Sequence, residues 1–218
     1  QEKLTPELRT RIENCYDPIE LEDLYLPFKP KRRTRATIAR ENGLEPLAKI
    51  ILAQFEKNLQ IRAAQYLNDK VETPEDALAG ARDIIAEWIN ENEQARSIVR
   101  HGFEKSGIVH SSVIKGKEEE GIKYKDYFAY EEPLGKCPSH RLLAVRRGEK
   151  EGFLRFSIVS DGQQATERLL QHFVKGHGPS SDQVALAVKD SFNRLISPAI
   201  ETEFANLSKE KADREAIG

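Results

Sequence analysis

The sequence holds no methionine, only two cysteines and one tryptophan among 218 residues, and aromatics make up 7% of it. It opens at Gln1, so the pattern fits either an excised segment or a chain whose modified methionines are missing from the sequence. Cys15 and Cys137 stand too far apart to give a metal-ligand spacing or a disulfide framework, which suits a reducing cytosol. No apolar run approaches the roughly 20 residues that cross a bilayer, and no signal-peptide pattern opens the chain. The chain therefore reads as cytoplasmic, with no membrane partner. Enzyme motifs are missing too: there is no Gly-rich phosphate loop, no His-Glu-x-x-His, no Gly-x-Ser-x-Gly and no Cys-x-x-Cys. His172 and His177 are five apart across a Gly-containing segment, a poor metal pair. Glu118, Glu119 and Glu120 are consecutive, and adjacent residues on a helix do not face one another. The expectation is no enzyme, no cofactor and no metal.

What is present is charge and helix patterning. Charged residues reach 32%. Thr5-Pro6 and Asp17-Pro18 each give an N-cap with Pro at the first helical position. Thr34 caps a short helix that stops at Asn42-Gly43, and a further helix carries Leu47, Ile50 and Ile51. Thr73-Pro74-Glu75-Asp76 is a capping box, followed by a stripe of Ala77, Ala81, Ile84, Ile85, Trp88 and Ile89. That stripe predicts Trp88 buried. Gln94 to Lys105 forms another helix, stopped by Gly107. Ser139 caps a helix that Gly148 ends, Ser180 opens one carrying Val184, Val188, Phe192 and Leu195, and Ser197-Pro198 restarts the chain, with Ser208 as a final cap. Strand patterning is confined to Ile108–Ile114 and Leu154–Ile158. Gln60–Val71 and Ser160–Gln164 read as loops. The expected fold is mostly α, a multi-helix protein with at most a small β pair. Residues 1–115 form an N-terminal helical region and 116–218 a central helical region.

Formal net charge is −2, so any binding of polyanions must come from local patches. One stands out. Lys29 to Arg40 carries six bases and no acid, after a Gln1–Phe28 segment with seven acids and three bases. A field of one sign attracts anions, of which phosphate backbones are the commonest. Pro27 and Pro30 hold this stretch extended, which keeps neighbouring bases from all folding back onto one acidic helix face. Lys29, Lys31, Arg32, Arg33 and Arg35 are the candidate phosphate contacts. The competing account is internal pairing with acids such as Glu20, Glu22 and Asp23. A second candidate is Arg146 with Arg147 in the segment Pro138–Gly152, which also carries Arg141; internal ion pairs with the chain's acids are the alternative use of all three. Residues 35–54 have the outline of a helix-turn-helix. The second helix, however, opens with Glu45-Pro46 and runs on as Leu47, Ala48, Ile50, Ile51 and Leu52. That is too apolar, and of the wrong sign at its start, for a base-reading helix. It reads as a packing hairpin.

Several unusual motifs occur in order along nearly the whole chain. They are Leu21-Glu-Asp-Leu-Tyr-Leu-Pro-Phe-Lys-Pro-Lys-Arg-Arg-Thr34, Gly116-Lys-Glu-Glu-Glu-Gly121 with Tyr127-Phe128, and Pro138-Ser-His-Arg141 with Arg147-Gly148 and Glu151-Gly152. Together they resemble the bacterial Tex family of transcription accessory proteins, which is similar in turn to the core of the eukaryotic suppressor-of-Ty elongation factor. The resemblance implies the N-terminal and central helical part of a longer protein. In that family a YqgF-like domain, helix-hairpin-helix motifs and a nucleic-acid-binding OB fold follow this region, and the YqgF-like domain is regarded as inert. It implies a helical scaffold in transcription and transfers no binding residue to this chain, so weak, non-specific binding of RNA or DNA is an expectation of the basic patches alone. The alternative is a protein-interaction module that holds a component of the transcription machinery.

Overall fold

Proline and short capping side chains set most of the helix starts in the computed structural model, which describes residues 4–30 and 32–217. Thr5 accepts from the Leu8 amide to open α1 (Pro6–Glu13), and Asp17 accepts from the Ile19 amide to open α2 (Pro18–Tyr25). A 3₁₀ turn, Leu26–Phe28, follows. Thr34 caps α3 (Arg35–Glu41), and α4 (Glu45–Ala53) follows after Gly43. Gly43 has φ +81°, a left-handed conformation that costs glycine little, so a three-residue turn can reverse the chain there. The capping box of Thr73 and Asp76 opens α6 (Pro74–Asn90), after the short α5 (Leu59–Ala64). Beyond lie α7 (Glu93–Ser106), α8 (Ser139–Lys150), α9 (Gly162–Phe173), α10 (Pro179–Asp190) and α11 (Ser197–Ile217). The fold is mostly α.

The chain divides into two units, Gln1–Ser97 with Thr166–Leu195 and Ile98–Ala165 with Ile196–Gly218. In the first, α6 is the central helix, and α3, α4, α5 and α10 pack against it. Its inward face buries Ala77, Leu78, Ala81, Ile84, Ile85, Ala86 and Ile89. Trp88 is a correction: it is only partly buried, because the buried stripe turns through Glu87 and Ile89 on either side of it. The stretch read as a loop at 60–71 holds most of α5, whose Leu59 and Ala63 are buried. Six residues are too few for a helical period to show in sequence. Ser180 is not the cap of α10. Gly178 stands there, and the buried Ser180 hydroxyl donates to the Glu56 carbonyl at 2.7 Å.

The second unit contains a three-stranded antiparallel sheet in the order β2-β1-β3, with β1 Ile108–Val113, β2 Ala129–Pro133 and β3 Leu154–Val159. Val109 of β1 faces Glu132 on one side and Ile158 on the other. The sequence showed β1 and β3. It hid β2 because Ala-Tyr-Glu-Glu-Pro has no β-branched residue and carries the charges of an edge. The other edge is covered: the Ile158 amide donates to Glu201 of α11 at 3.2 Å. Both α8 and α11 pack on β3 and on each other. Ser191–Ile196 forms a π-helical turn, so the chain enters α11 without leaving helical conformation, and Ser208 lies inside α11 rather than at a cap.

Gly148 does not end a helix. It is buried inside α8, which runs to Lys150. A Cβ placed there would come 2.6 Å from Leu154 Cδ1 and 3.3 Å from Tyr124 Cδ1. Leu154 is itself buried, at 1% exposure, and has little room to move. Gly148→Val should therefore lower stability by about 1–3 kcal/mol through overpacking. The gain in helix propensity, below about 1 kcal/mol, is too small to offset this. A urea midpoint equal to that of the parent would refute the close approach.

Candidate nucleic-acid interface

The basic run lies between the 3₁₀ turn and α3, in the first unit. Two of its candidate contacts, Lys29 and Arg33, are answered by local acids. Lys29 Nζ sits 3.1 Å from Glu22 of α2, and Arg33 reaches Glu41 of α3 at 3.0 Å, all four side chains being well exposed. Pairs of that kind contribute about 0–1 kcal/mol and exchange readily for another anion. Arg40 is held harder, 2.7 Å from the buried Glu87, which also accepts from the Thr34 hydroxyl at 3.1 Å. Arg35 is exposed and its field reaches Asp83; burial pushes that carboxyl up, against the pull of Arg194 and Arg35. Arg32 is exposed and makes no ion pair among the described residues, while Lys31 lies outside them. Tyr25 and Phe28 flank the run and are 48% and 37% exposed.

Arg146 and Arg147 lie in the second unit, on α8. They line a groove of about 720 Å³ between α8 and α11. Arg146 is committed: its guanidinium meets Glu149 at 2.7 Å and stacks over the Phe156 ring at 4.6 Å. Arg147 is exposed and makes no ion pair among the described residues. Its field reaches Glu151, a carboxyl held low chiefly by its hydrogen bond to Lys123. Sequence reasoning missed two further cations here. Lys150 stands four residues after Arg146, and this helical spacing could have identified it. Lys209 comes from α11, distant in sequence, and only the tertiary fold brings it to the groove. Neither makes an ion pair among the described residues. Four cations thus line the groove against two carboxylates, Glu149 and Asp213, with Leu143 and Ala144 between them.

Ser139 and Arg141 of α8 are internally paired. Ser139, expected to cap the helix, is its first residue after Pro138, and its hydroxyl bonds Glu215 of α11. Arg141 pairs with Glu132 at 3.3 Å. The Tyr130 phenol donates to the same carboxylate, and burial pushes that phenol up. Cys137 lies beside it, its thiol also pushed up by burial and so poor in the reactive thiolate form. Among the described residues no three His, Cys, Asp or Glu side chains group in a way that would hold a metal ion. No helix formed by these residues is long and apolar enough to cross a membrane.

Residues 55–218 match the family described as Tex central region-like, and the chain belongs to that family. It is 38% identical over 227 residues to the transcriptional accessory protein Tex of Neisseria gonorrhoeae. It is 39% identical over 229 residues to the protein YhgF of Escherichia coli. Both matches take in the whole chain and about 30% of the relative, so the chain spans under a third of the length of these proteins. A more distant match, 25% identical over 94% of the chain and 22% of the relative, is to the human S1 RNA-binding domain-containing protein 1.

Proposed function

We infer that this chain is a non-catalytic helical scaffold within a cytoplasmic Tex-type transcription accessory protein, and that it makes weak, sequence-independent contacts with nucleic-acid phosphates. The observation that carries this reading is the α8–α11 groove, where Arg147, Lys150 and Lys209 meet solvent without an acid partner among the described residues. The names of the relatives accord with it, through transcription in one case and RNA binding in another. With few phosphate contacts and no Phe, Tyr or Trp lining the groove, dissociation constants of roughly 10⁻⁴ to 10⁻⁶ M follow at physiological salt. Titration of the chain with fluorescent RNA and DNA oligonucleotides should show affinity that falls steeply as salt rises. Affinity that hardly changes with salt would remove the phosphate reading.

One observation favours a second reading, protein interaction. In the first unit a groove of about 460 Å³ is lined by Leu59, Ile61, Leu78 and Pro179, and Ile61 is 68% exposed. An apolar partner seated there would respond far less to salt than a phosphate chain does.

A further inference from the structure

The geometry points to the α8–α11 groove as a site for the backbone of a single nucleic-acid strand, one that duplexes fit poorly; this rests on the phosphate-contacting reading above. Two observations define the site. The first is its shape, a concave groove of about 720 Å³ between two helices that pack directly on each other. Axes of packed helices lie about 8–10 Å apart. The valley between them is narrower than a duplex, whose major groove alone is about 12 Å across. A duplex can therefore rest only on the rims, whereas a single strand can lie along the floor, its sugars against Leu143 and Ala144.

The second observation is that cations stand on both walls. Arg147 and Lys150 come from α8 and Lys209 from α11, so a strand on the floor is held from both sides. Each exposed cation that meets a phosphate releases a counterion condensed on the strand, with no internal ion pair to break first. Arg146 contributes little, since Glu149 and the Phe156 face already hold it. Glu149 and Asp213 set a limit on affinity and keep the contact reversible. No Phe, Tyr or Trp lines the groove and His140 is the one ring among its lining residues, so base stacking adds little and sequence is not read. The backbone, not the base, is the ligand.

Three cations at about 0.7 each give the groove a share of roughly −2 in the log–log salt slope for single strands. The test uses the full 218-residue chain, fluorescent oligouridylate and oligothymidylate, and a duplex of equal length, at two salt concentrations. Both single strands should bind at least several-fold tighter than the duplex. The triple variant Arg147→Ala, Lys150→Ala, Lys209→Ala should lose at least tenfold in affinity at low salt, and its slope should flatten by about 2. Lys209→Glu alone, an exposed change, should also weaken binding while the circular dichroism spectrum stays unchanged. The double variant Arg32→Ala, Arg35→Ala should keep the preference for single strands. If the parent chain bound no oligonucleotide even at low salt, the phosphate-contacting reading itself would fall. If it bound and only the Arg32/Arg35 variant lost affinity, that reading would survive and the groove assignment would not. Equal or tighter duplex binding, or displacement of the oligonucleotide by a polyglutamate peptide at matched charge, would likewise overturn the groove assignment.

Discussion

Replacing Asp23 with Ala should destabilise the first unit by about 3–5 kcal/mol, the cost typical of orphaning one member of a buried ion pair. Asp23 on α2 accepts from Arg96 Nε on α7 at 2.6 Å, and the two side chains are only 7% and 8% exposed. A guanidinium cannot shed its proton to escape burial. Without Asp23 it must stay charged and desolvated or drag α7 outward to reach water. The pair as a whole is a different matter. Taking two charges out of water costs nearly as much as their attraction returns, so the double variant Asp23→Leu, Arg96→Met should recover much of the loss. A denaturant titration of the parent, the single variant and the double variant separates these outcomes. A single variant within about 1 kcal/mol of the parent would mean that Arg96 finds water or another acid, and that the pair does not fix α2 against α7.

The bearing of this pair on function lies in the charge change of the neighbouring sequence. Residues 1–28 read as an acidic block and residues 29–40 as a basic one, and the simplest sequence account pairs the two blocks. The structure divides the acids instead. Glu22 takes Lys29 at the surface, whereas Asp23 turns inward to Arg96. Glu41, from within α3 itself, takes Arg33. Linear charge counts cannot separate a surface acid from its buried neighbour, because on α2 the two differ only by one helical step.

Local signals carried most of the helical fold. Thr5, Asp17, Thr34 and Thr73 cap helices as their sequence context indicates, since a cap is decided by three or four adjacent residues. Readings that depended on tertiary partners were less secure. Ser139 and Ser180 resemble caps, but each spends its hydroxyl on a distant segment, Glu215 and the Glu56 carbonyl respectively. Gly148 looks like a stop, and it is glycine because Leu154 occupies the space of a Cβ. The basic run was conspicuous because it is contiguous, although Lys29 and Arg33 are answered by local acids. The groove was only half legible: Arg146 and Arg147 sit together in sequence, while Lys209 joins them through the packing of α11 on α8.

That packing leads to the second large effect. Phe103→Ala should lower the stability of the second unit by about 3–5 kcal/mol, the range for an aromatic core side chain cut to a methyl. Phe103, on α7, is 1% exposed and stacks on Phe204 of α11, with ring centroids 5.5 Å apart and planes 22° from parallel. One turn away the same two helices are joined by Arg100 and Glu203, bidentate at 2.7 and 3.1 Å and mostly buried. Removing the Phe103 ring leaves a cavity beside that pair, which cannot close without moving charged groups that already have partners. Phe103→Leu fills most of the space and loses mainly the ring contact, worth about 0.5–1.5 kcal/mol beyond burial. It should therefore cost well under half as much. Since α11 also carries Lys209, the Ala variant should weaken oligonucleotide binding and flatten its salt slope, although Phe103 does not line the groove. Unchanged binding in a clearly destabilised Phe103→Ala chain would show that the wall bearing Lys209 is held by α8 and β3 alone.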